Sequence, residues 1–197
     1  TALWHQLQLA YSYRRAARLE LSYRDMRHPL VEALDGLTLR PTNLDYTRYL
    51  RALIALPLPL YQSKGFSWWT QTYLVGQRQW DAGSVLGTPF SAVTNAGYLM
   101  HKHQLGLADS WYLDLSFTYY SALRYQLFAM QPRYFVDGSL SHVRGPLRIE
   151  LATHDLFGTN KARGRYDIGA TQLDFVNKWY TPQVSLSLYY SFGSRKL

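Results

Sequence analysis

The chain has 197 residues, 47% of them hydrophobic and only 17% charged, with 17 Tyr, 8 Phe and 6 Trp. Such aromatic content excludes a disordered chain, and the absence of Cys excludes disulfides and thiolate metal sites. The net charge of +8 makes nucleic acid or an acidic membrane surface the partners to test, while the lack of any run of about 18 apolar residues excludes a transmembrane helix but not a membrane protein built from strands.

Thr1-Ala2-Leu3-Trp4-His5 offers no initiator Met and no basic segment with an apolar stretch and a cleavage site. The chain therefore reads as a piece of a longer protein. From there the apolar period is two, as in strands whose side chains point alternately to opposite faces. Leu7, Leu9, Tyr11 and Tyr13 alternate with Gln6, Gln8, Ala10 and Ser12, and Leu19, Leu21 and Tyr23 oppose Glu20, Ser22 and Arg24. Later, Trp111 to Tyr120 alternates in the same way, as do Leu147, Ile149 and Leu151 against Arg148, Glu150 and His154. The last segment is the clearest, with Val184, Leu186, Leu188, Tyr190 and Phe192 on one face. The pattern predicts about ten strands, near 3–14, 18–27, 43–58, 66–80, 95–107, 110–121, 133–143, 146–157, 163–177 and 182–193. The 95–107 segment has no clean face, and Pro57 and Pro59 interrupt the end of 43–58.

Turn chemistry separates these runs at Asp35-Gly36, Lys64-Gly65, Gly106 to Asp109 and Arg144-Gly145-Pro146, and Arg14 to Ala17 makes a short link. Polar stretches around 26–42, 80–95 and 121–132 read as large loops, so short and long connections roughly alternate. The polar face carries Ser, Thr, Gln, Tyr, Asp and Arg rather than the Lys and Glu of a solvated sandwich. Aromatics gather near strand ends, at Trp68-Trp69, Trp80, Trp111-Tyr112, Trp179-Tyr180 and Tyr189-Tyr190. A hydrated interior and two interfacial aromatic girdles are what a membrane barrel needs. The expected fold is all-β, a transmembrane antiparallel β-barrel region over residues 1–197.

Three stretches carry a family likeness. Leu19 to Asp25, then His28-Pro29-Leu30-Val31 and Arg40 to Leu44, form a strand, loop and strand-start pattern. His154-Asp155-Leu156-Phe157-Gly158-Thr159-Asn160 with Arg163 to Tyr166 forms a loop, and Val184 to Gly193 a closing strand. Together they resemble the C-terminal part of the barrel in TonB-dependent receptor-like proteins of the Gram-negative outer membrane. The resemblance implies a barrel of about 22 strands around an upstream plug, with energy-coupled uptake of a nutrient. It also implies a closing strand read by the barrel-assembly machinery through Tyr190 and Phe192. Ser194 to Leu197 extends past the position where many such barrels stop.

Arg51, Asp114, Asp137, Arg148 and Glu150 fall on the face expected to line the lumen, where they would form either a solute-selecting lining or structural ion pairs. His101-Lys102-His103 sets two His on one face, as a metal site would. No third ligand has the spacing to complete it, and a polar lumen or rim position is the expectation. His142, His154 and Asp155 suggest a barrel hydrolase, but no nucleophile motif accompanies them, and neither enzyme activity nor a cofactor is expected. The cations Arg14, Arg15, Arg24, Arg27, Arg40, Arg48 and Arg51 fall at turns, loops and lumen positions, and Lys161, Arg163 and Arg165 share one loop. That is not a nucleic-acid footprint, whereas loop cations suit lipopolysaccharide phosphates. Two further readings stay open: a non-transporting barrel holding a surface lipoprotein or other envelope protein, and a self-contained ten-stranded hydrolase.

Overall fold

The structure is a computed structural model and describes residues 3–13, 17–36, 38–108, 110–178 and 182–192. The two-residue period becomes strand almost throughout. The strands are β1 (Leu3–Tyr13), β2 (Ala17–Arg27), β3 (Leu30–Asp35), β4 (Thr38–Ser63), β5 (Phe66–Val85), β6 (Thr88–Leu107) and β7 (Trp111–Tyr120). They continue with β8 (Leu123–Tyr125), β9 (Phe128–Met130), β10 (Arg133–Arg144), β11 (Leu147–His154), β12 (Lys161–Ile168), β13 (Thr171–Lys178) and β14 (Gln183–Tyr190). One antiparallel wall runs in the order β1-β2-β4-β5-β6-β7-β10-β11-β14, with β3 folded onto β4; β13-β12-β9-β8 form a second sheet.

The short connections β1–β2, β4–β5, β6–β7 and β10–β11 lie at one end of the wall, and β3 with the second sheet lies at the other. Neighbouring strands do not reach the short-turn end at the same level. The row of paired residues through Tyr13 and Ala17 crosses the wall to meet β14 about eight residues above its last residue, Tyr190. Eight residues of strand rise about 27 Å over eight strand spacings of about 4.8 Å, so the strands lean by about 35° from the normal to the line of turns. That lean falls in the range of membrane-spanning barrels.

The two faces differ sharply. One carries Leu7, Leu9, Leu21, Ile54, Leu74, Leu140, Leu151, Leu186 and Leu188, with exposures of 37% to 74%. In register these residues are neighbours: Leu9 pairs Leu21, Ile54 pairs Leu74, and Leu140 pairs Leu151, which pairs Leu186. A continuous aliphatic surface of this size is stable only against lipid or another apolar body. Conventional burial occurs at the long-connection end. There Val31, Ala33 and Leu34 of β3 pack with Leu44, Val85, Leu127 and Tyr166 against Phe90, Phe128, Ile168 and Leu173.

Several expected boundaries change. The stretch 80–95 is no loop: β5 and β6 run on and meet at a two-residue turn, Leu86 (φ 50) and Gly87 (φ 83), both left-handed as a type I′ hairpin requires. Likewise 26–42 and 121–132 contain β3, β8 and β9. The expected strand 163–177 is a hairpin, β12–β13, held by Arg165 bonded to Asp174 at 2.8 and 2.9 Å. Those hydrogen bonds keep the Asp174 carboxyl below its usual range. Pro57 and Pro59 lie inside β4 because it has run past Arg18, its last partner on β2 among the described residues, so the missing N–H costs no ladder bond on that side. Arg14, Arg15, Trp179 and Tyr180, and 193–197, lie outside the described residues.

The β11–β12 connection is tied by one carboxylate. Asp155, 2% exposed and at φ 50, accepts from the backbone N–H of Thr159 at 2.8 Å and of Asn160 at 3.1 and 3.2 Å. Its own N–H donates to Asp137 Oδ1 at 2.8 Å, and Leu156 N–H to Val136 O at 2.8 Å, so β10 anchors the knot.

Two expectations follow. Leu140→Arg, on the aliphatic face, should destabilise the assembled protein by about 2–4 kcal/mol, while Ser139→Arg on the opposite face should be close to neutral. Denaturant unfolding in bilayers measures both, and equal costs would remove the assignment of faces. Asp155→Ala should cost the knot about 2–3 kcal/mol, through loss of several bonds to a buried charge. Limited proteolysis reads this as faster cleavage between 156 and 182, with Asp155→Asn intermediate; unchanged cleavage would show that the connection holds without the carboxylate.

Candidate functional site

The polar face follows from strand parity. Residues of β2 with even numbers, of β4 below Tyr46 with odd numbers, and their register partners all point away from the aliphatic surface. Two depressions on this face bear on the expected lining residues. The first is lined by Gln6, Glu20, Ser22, Arg24, Met26, Tyr49, Arg51 and Gln77. The second is lined by residues of β6, β7, β10, β11 and β14, including Lys102, Asp114, Ser116, Asp137, Arg148, Glu150, His154 and Ser187.

Register brings four of the five expected lining residues into the second depression. Asp114 stands across from Ser139, and Ser141 across from Glu150. Arg148 and Glu150 are two apart on β11 and bond at 2.6 Å. Lys102 reaches Asp114 at 3.1 Å, and His154 Nδ1 lies 3.8 Å from Asp137. The fifth, Arg51, sits apart in the first depression, near Glu20, which Arg18 contacts at 2.7 Å. Each pair is at least partly exposed, so these contacts contribute at most about 1 kcal/mol apiece. Their effect is rather on the field of the face: it alternates signs over short distances, with hydroxyls from Ser116, Ser139, Ser185 and Ser187 between them. Such a surface can hydrogen-bond a polar solute.

Toward the long-connection end, β8 folds over the polar face. Leu123, Arg124, Tyr125 and Gln126 share a cavity with Tyr49, Gln77, Gln79 and Asp81 of the wall. Beneath this roof Asp81 is 3% exposed, and both its oxygens are satisfied, by Thr47 Oγ1 at 2.7 Å and by Gln79 Nε2 at 2.8 Å. Arg124 lays its guanidinium 5.4 Å from the centre of the Phe90 ring. Sequence reading missed Asp81 and Arg124. The polar alternation Gln77, Gln79, Asp81 was the available signal, but Arg78 on the other face broke the pattern.

Three placements correct the expectations. His101 and His103 do not face the lumen; they point out of the aliphatic side, in register with Phe117 and Leu115. There Thr72 Oγ1 meets His101 Nδ1 at 2.8 Å, and Trp68 Nε1 donates to His103 Nδ1 at 3.1 Å. His142 also points to the aliphatic side, its ring 4.4 Å from that of Trp111, whereas His154 points to the polar side and Asp155 is engaged in its knot. The three candidate hydrolase residues therefore do not converge. Arg27 and Arg48, expected at loop or lumen positions, are on the aliphatic side, near its upper margin.

Near the short-turn end, Trp68, Trp111 and Tyr190 point to the aliphatic side and Trp69, Tyr112 and Tyr189 to the polar side. Tyr190 and Phe192 are 54% and 91% exposed, with ring centroids 4.7 Å apart.

No match was found among curated proteins, and none among solved structures. A family model described as the outer membrane protein beta-barrel family matches residues 2–190. With its all-antiparallel wall, leaning strands and aliphatic outer face, the chain belongs to the outer membrane protein beta-barrel family.

Proposed function

We propose that the chain is the wall of a TonB-dependent receptor-like barrel that takes up or binds a polar nutrient at the outer membrane. The observation that supports this most is the second depression. Four strands bring Lys102, Asp114, Asp137, Arg148 and Glu150 to a hydroxyl-rich face, and a connection folds inward over the same side of the wall above β4 and β5. Charges on the lumen face of a membrane barrel can line a solute path as well as fill the interior with ion pairs, and the hydroxyls between them here offer a polar solute hydrogen bonds. The edges β1 and β14 have no outer partner among the described residues. Lipid cannot satisfy free strand edges, and further strands of a barrel of about 22 would cover them. In this reading the upstream plug and energy coupling belong to the rest of the protein, and Tyr190 and Phe192 present the closing strand to the assembly machinery.

A second reading, a non-transporting barrel that holds an envelope partner, draws on the outer connections. Leu156 and Phe157 stand 47% and 66% exposed there, beyond the aliphatic surface. Apolar groups in that position suit a protein partner such as a surface lipoprotein.

Uptake is tested with the full-length protein in cells. Wild-type and deletion strains are grown in one complex medium, and solute depletion is followed by mass spectrometry with and without a protonophore. The expected outcome is at least one polar solute depleted only by wild type and only when the inner membrane is energised. Identical depletion by both strains, together with a stoichiometric envelope protein isolated on the barrel, would replace uptake by the holding role.

A further inference from the structure

Three guanidinium groups point outward at the upper margin of the aliphatic surface, where neither uptake nor ion pairing of the lumen uses them. Arg27 of β2, Arg48 of β4 and Arg78 of β5 occupy neighbouring rows: Arg27 pairs Tyr46, Asp25 pairs Arg48, Arg48 pairs Trp80, and Leu50 pairs Arg78. Their parity is that of Leu21, Ile54 and Leu74, so they share the lipid side and not the lumen.

Their level is set by β4. Below Arg48 the outward positions are Leu50, Ala52, Ile54, Leu56 and Leu58, about 27 Å of strand, or about 22 Å of height at a lean of about 35°. That is close to the apolar band of an outer-membrane barrel, about 25 Å. In such barrels short turns face the periplasm and long connections the outside. The arginines are at the long-connection end, hence at the headgroup level of the outer leaflet.

The protein itself leaves the charge uncompensated. One carboxylate, Asp25, stands within 3.4 Å of both Arg27 and Arg48, and neither the Arg48 Nε nor the second Asp25 oxygen finds a hydrogen bond. Arg78 has no carboxylate partner among the described residues and lies 5.3 Å from the centre of the Trp80 ring. Tyr46 receives Arg48 at 4.5 Å and Arg27 at 5.8 Å. Aromatic faces fix the planes of these guanidiniums, leaving their N–H edges for an anion. Across the rest of the wall, the outward positions at the same end include Leu3 and His5 on β1, the latter across from Asp25, and Val93, Asn95, Tyr119 and Tyr134, none of them Lys or Arg. The charge is thus a patch confined to β2–β5.

We propose that Arg27, Arg48 and Arg78, braced by Tyr46 and Trp80, bind the phosphate of an outer-leaflet phosphoglycolipid whose acyl chains lie on the aliphatic surface below. Charge complementarity and depth select this occupant: acyl chains need the apolar band and the phosphate needs the forks directly above it.

The full-length protein in detergent micelles is titrated with bisphosphoryl lipid A, with the same lipid after phosphate removal, and with inorganic phosphate, and bound lipid is read by native mass spectrometry. Bisphosphoryl lipid A should bind at least about tenfold more tightly than the dephosphorylated form, and R27Q/R48Q/R78Q should erase that difference. R163Q/R165Q, on the exposed β12–β13 hairpin, should keep it. Should the triple variant fail to assemble, R78Q alone is expected to reduce the preference severalfold. Equal binding of the two lipids, a preference that survives in both R78Q and the triple variant, or saturation by inorganic phosphate at the same concentration would each overturn the site. None of these outcomes bears on nutrient uptake.

Discussion

Lipid as a solvent is the constraint on which this structure depends. It supplies no hydrogen bonds, so each backbone N–H and C=O within its depth must be paired in the ladder, and it rewards no burial of one aliphatic chain against another. A period-two sequence meets both demands, since every strand pairs with its neighbours and presents alternate side chains to the hydrocarbon. This explains why large hydrophobics such as Leu186 and Leu188 are mostly exposed, which in water would be an aggregation surface. It also explains where an aqueous-type core forms. Val31, Leu44, Val85, Leu127 and Tyr166 are fully packed because the chain there has left the lipid and must bury its apolar groups against itself.

The same constraint bears on the two sheet edges. β1 and β14 are each paired on one side among the described residues, and the lean of about 35° leaves them staggered by about eight residues. Strands that complete such a wall must absorb this stagger, because backbone groups facing lipid without a partner cost several kcal/mol each. Curling the described strands edge to edge is a geometric question of shear as well as of strand number. The proposed larger barrel meets the edge requirement without forcing so few strands to enclose polar side chains as large as Arg51 and Arg148.

Much of the wall was legible in the sequence, because hydrophobic alternation and wall geometry are the same property. Residues of 110–121, 133–143 and 146–157 form the strands expected, with Asp114, Asp137, Arg148 and Glu150 on one face and together in one depression. What was not legible lies where alternation loses its physical cause. Above the hydrocarbon β5 and β6 pack Val85 and Phe90 into the roof core instead of presenting an aliphatic face to lipid, so 80–95 mixes Asp81, Ser84, Ser91 and Asn95 with apolar residues and resembles a loop. In 163–177 the alternation of two short strands runs through their turn at Gly169 and resembles one strand. The outward turn of His101 and His103 escaped because histidine is read as polar, whereas here Thr72 and Trp68 on the neighbouring strand each engage one ring's Nδ1 on the outward face.

Parity gives one-residue differences functional weight. On β4, Arg48 faces the lipid side and Arg51 the lumen, three positions apart, and nothing in their chemistry distinguishes them. A register slip of one residue would exchange their roles and turn Leu50 inward. The strand makes such a change of parity at Leu44/Tyr46 and again at Pro59/Tyr61, and the first of these positions the roof core. Between Leu44 and Tyr46 the pairing to β5 shifts, leaving Asp45 as the extra residue, so that Leu44 rather than Asp45 points into the roof core, where it is 1% exposed. Opposite the bulge stands Gly83 at φ 157; a Cβ there would approach Asp45 N to 2.6 Å and Leu44 Cα to 2.8 Å. The close backbone contact is what admits the bulge, and the bulge is what lets one strand be a lipid-facing wall below and part of a water-facing core above. Gly83 therefore couples the two solvent regimes of the protein, although it touches neither the lumen lining nor the lipid surface itself.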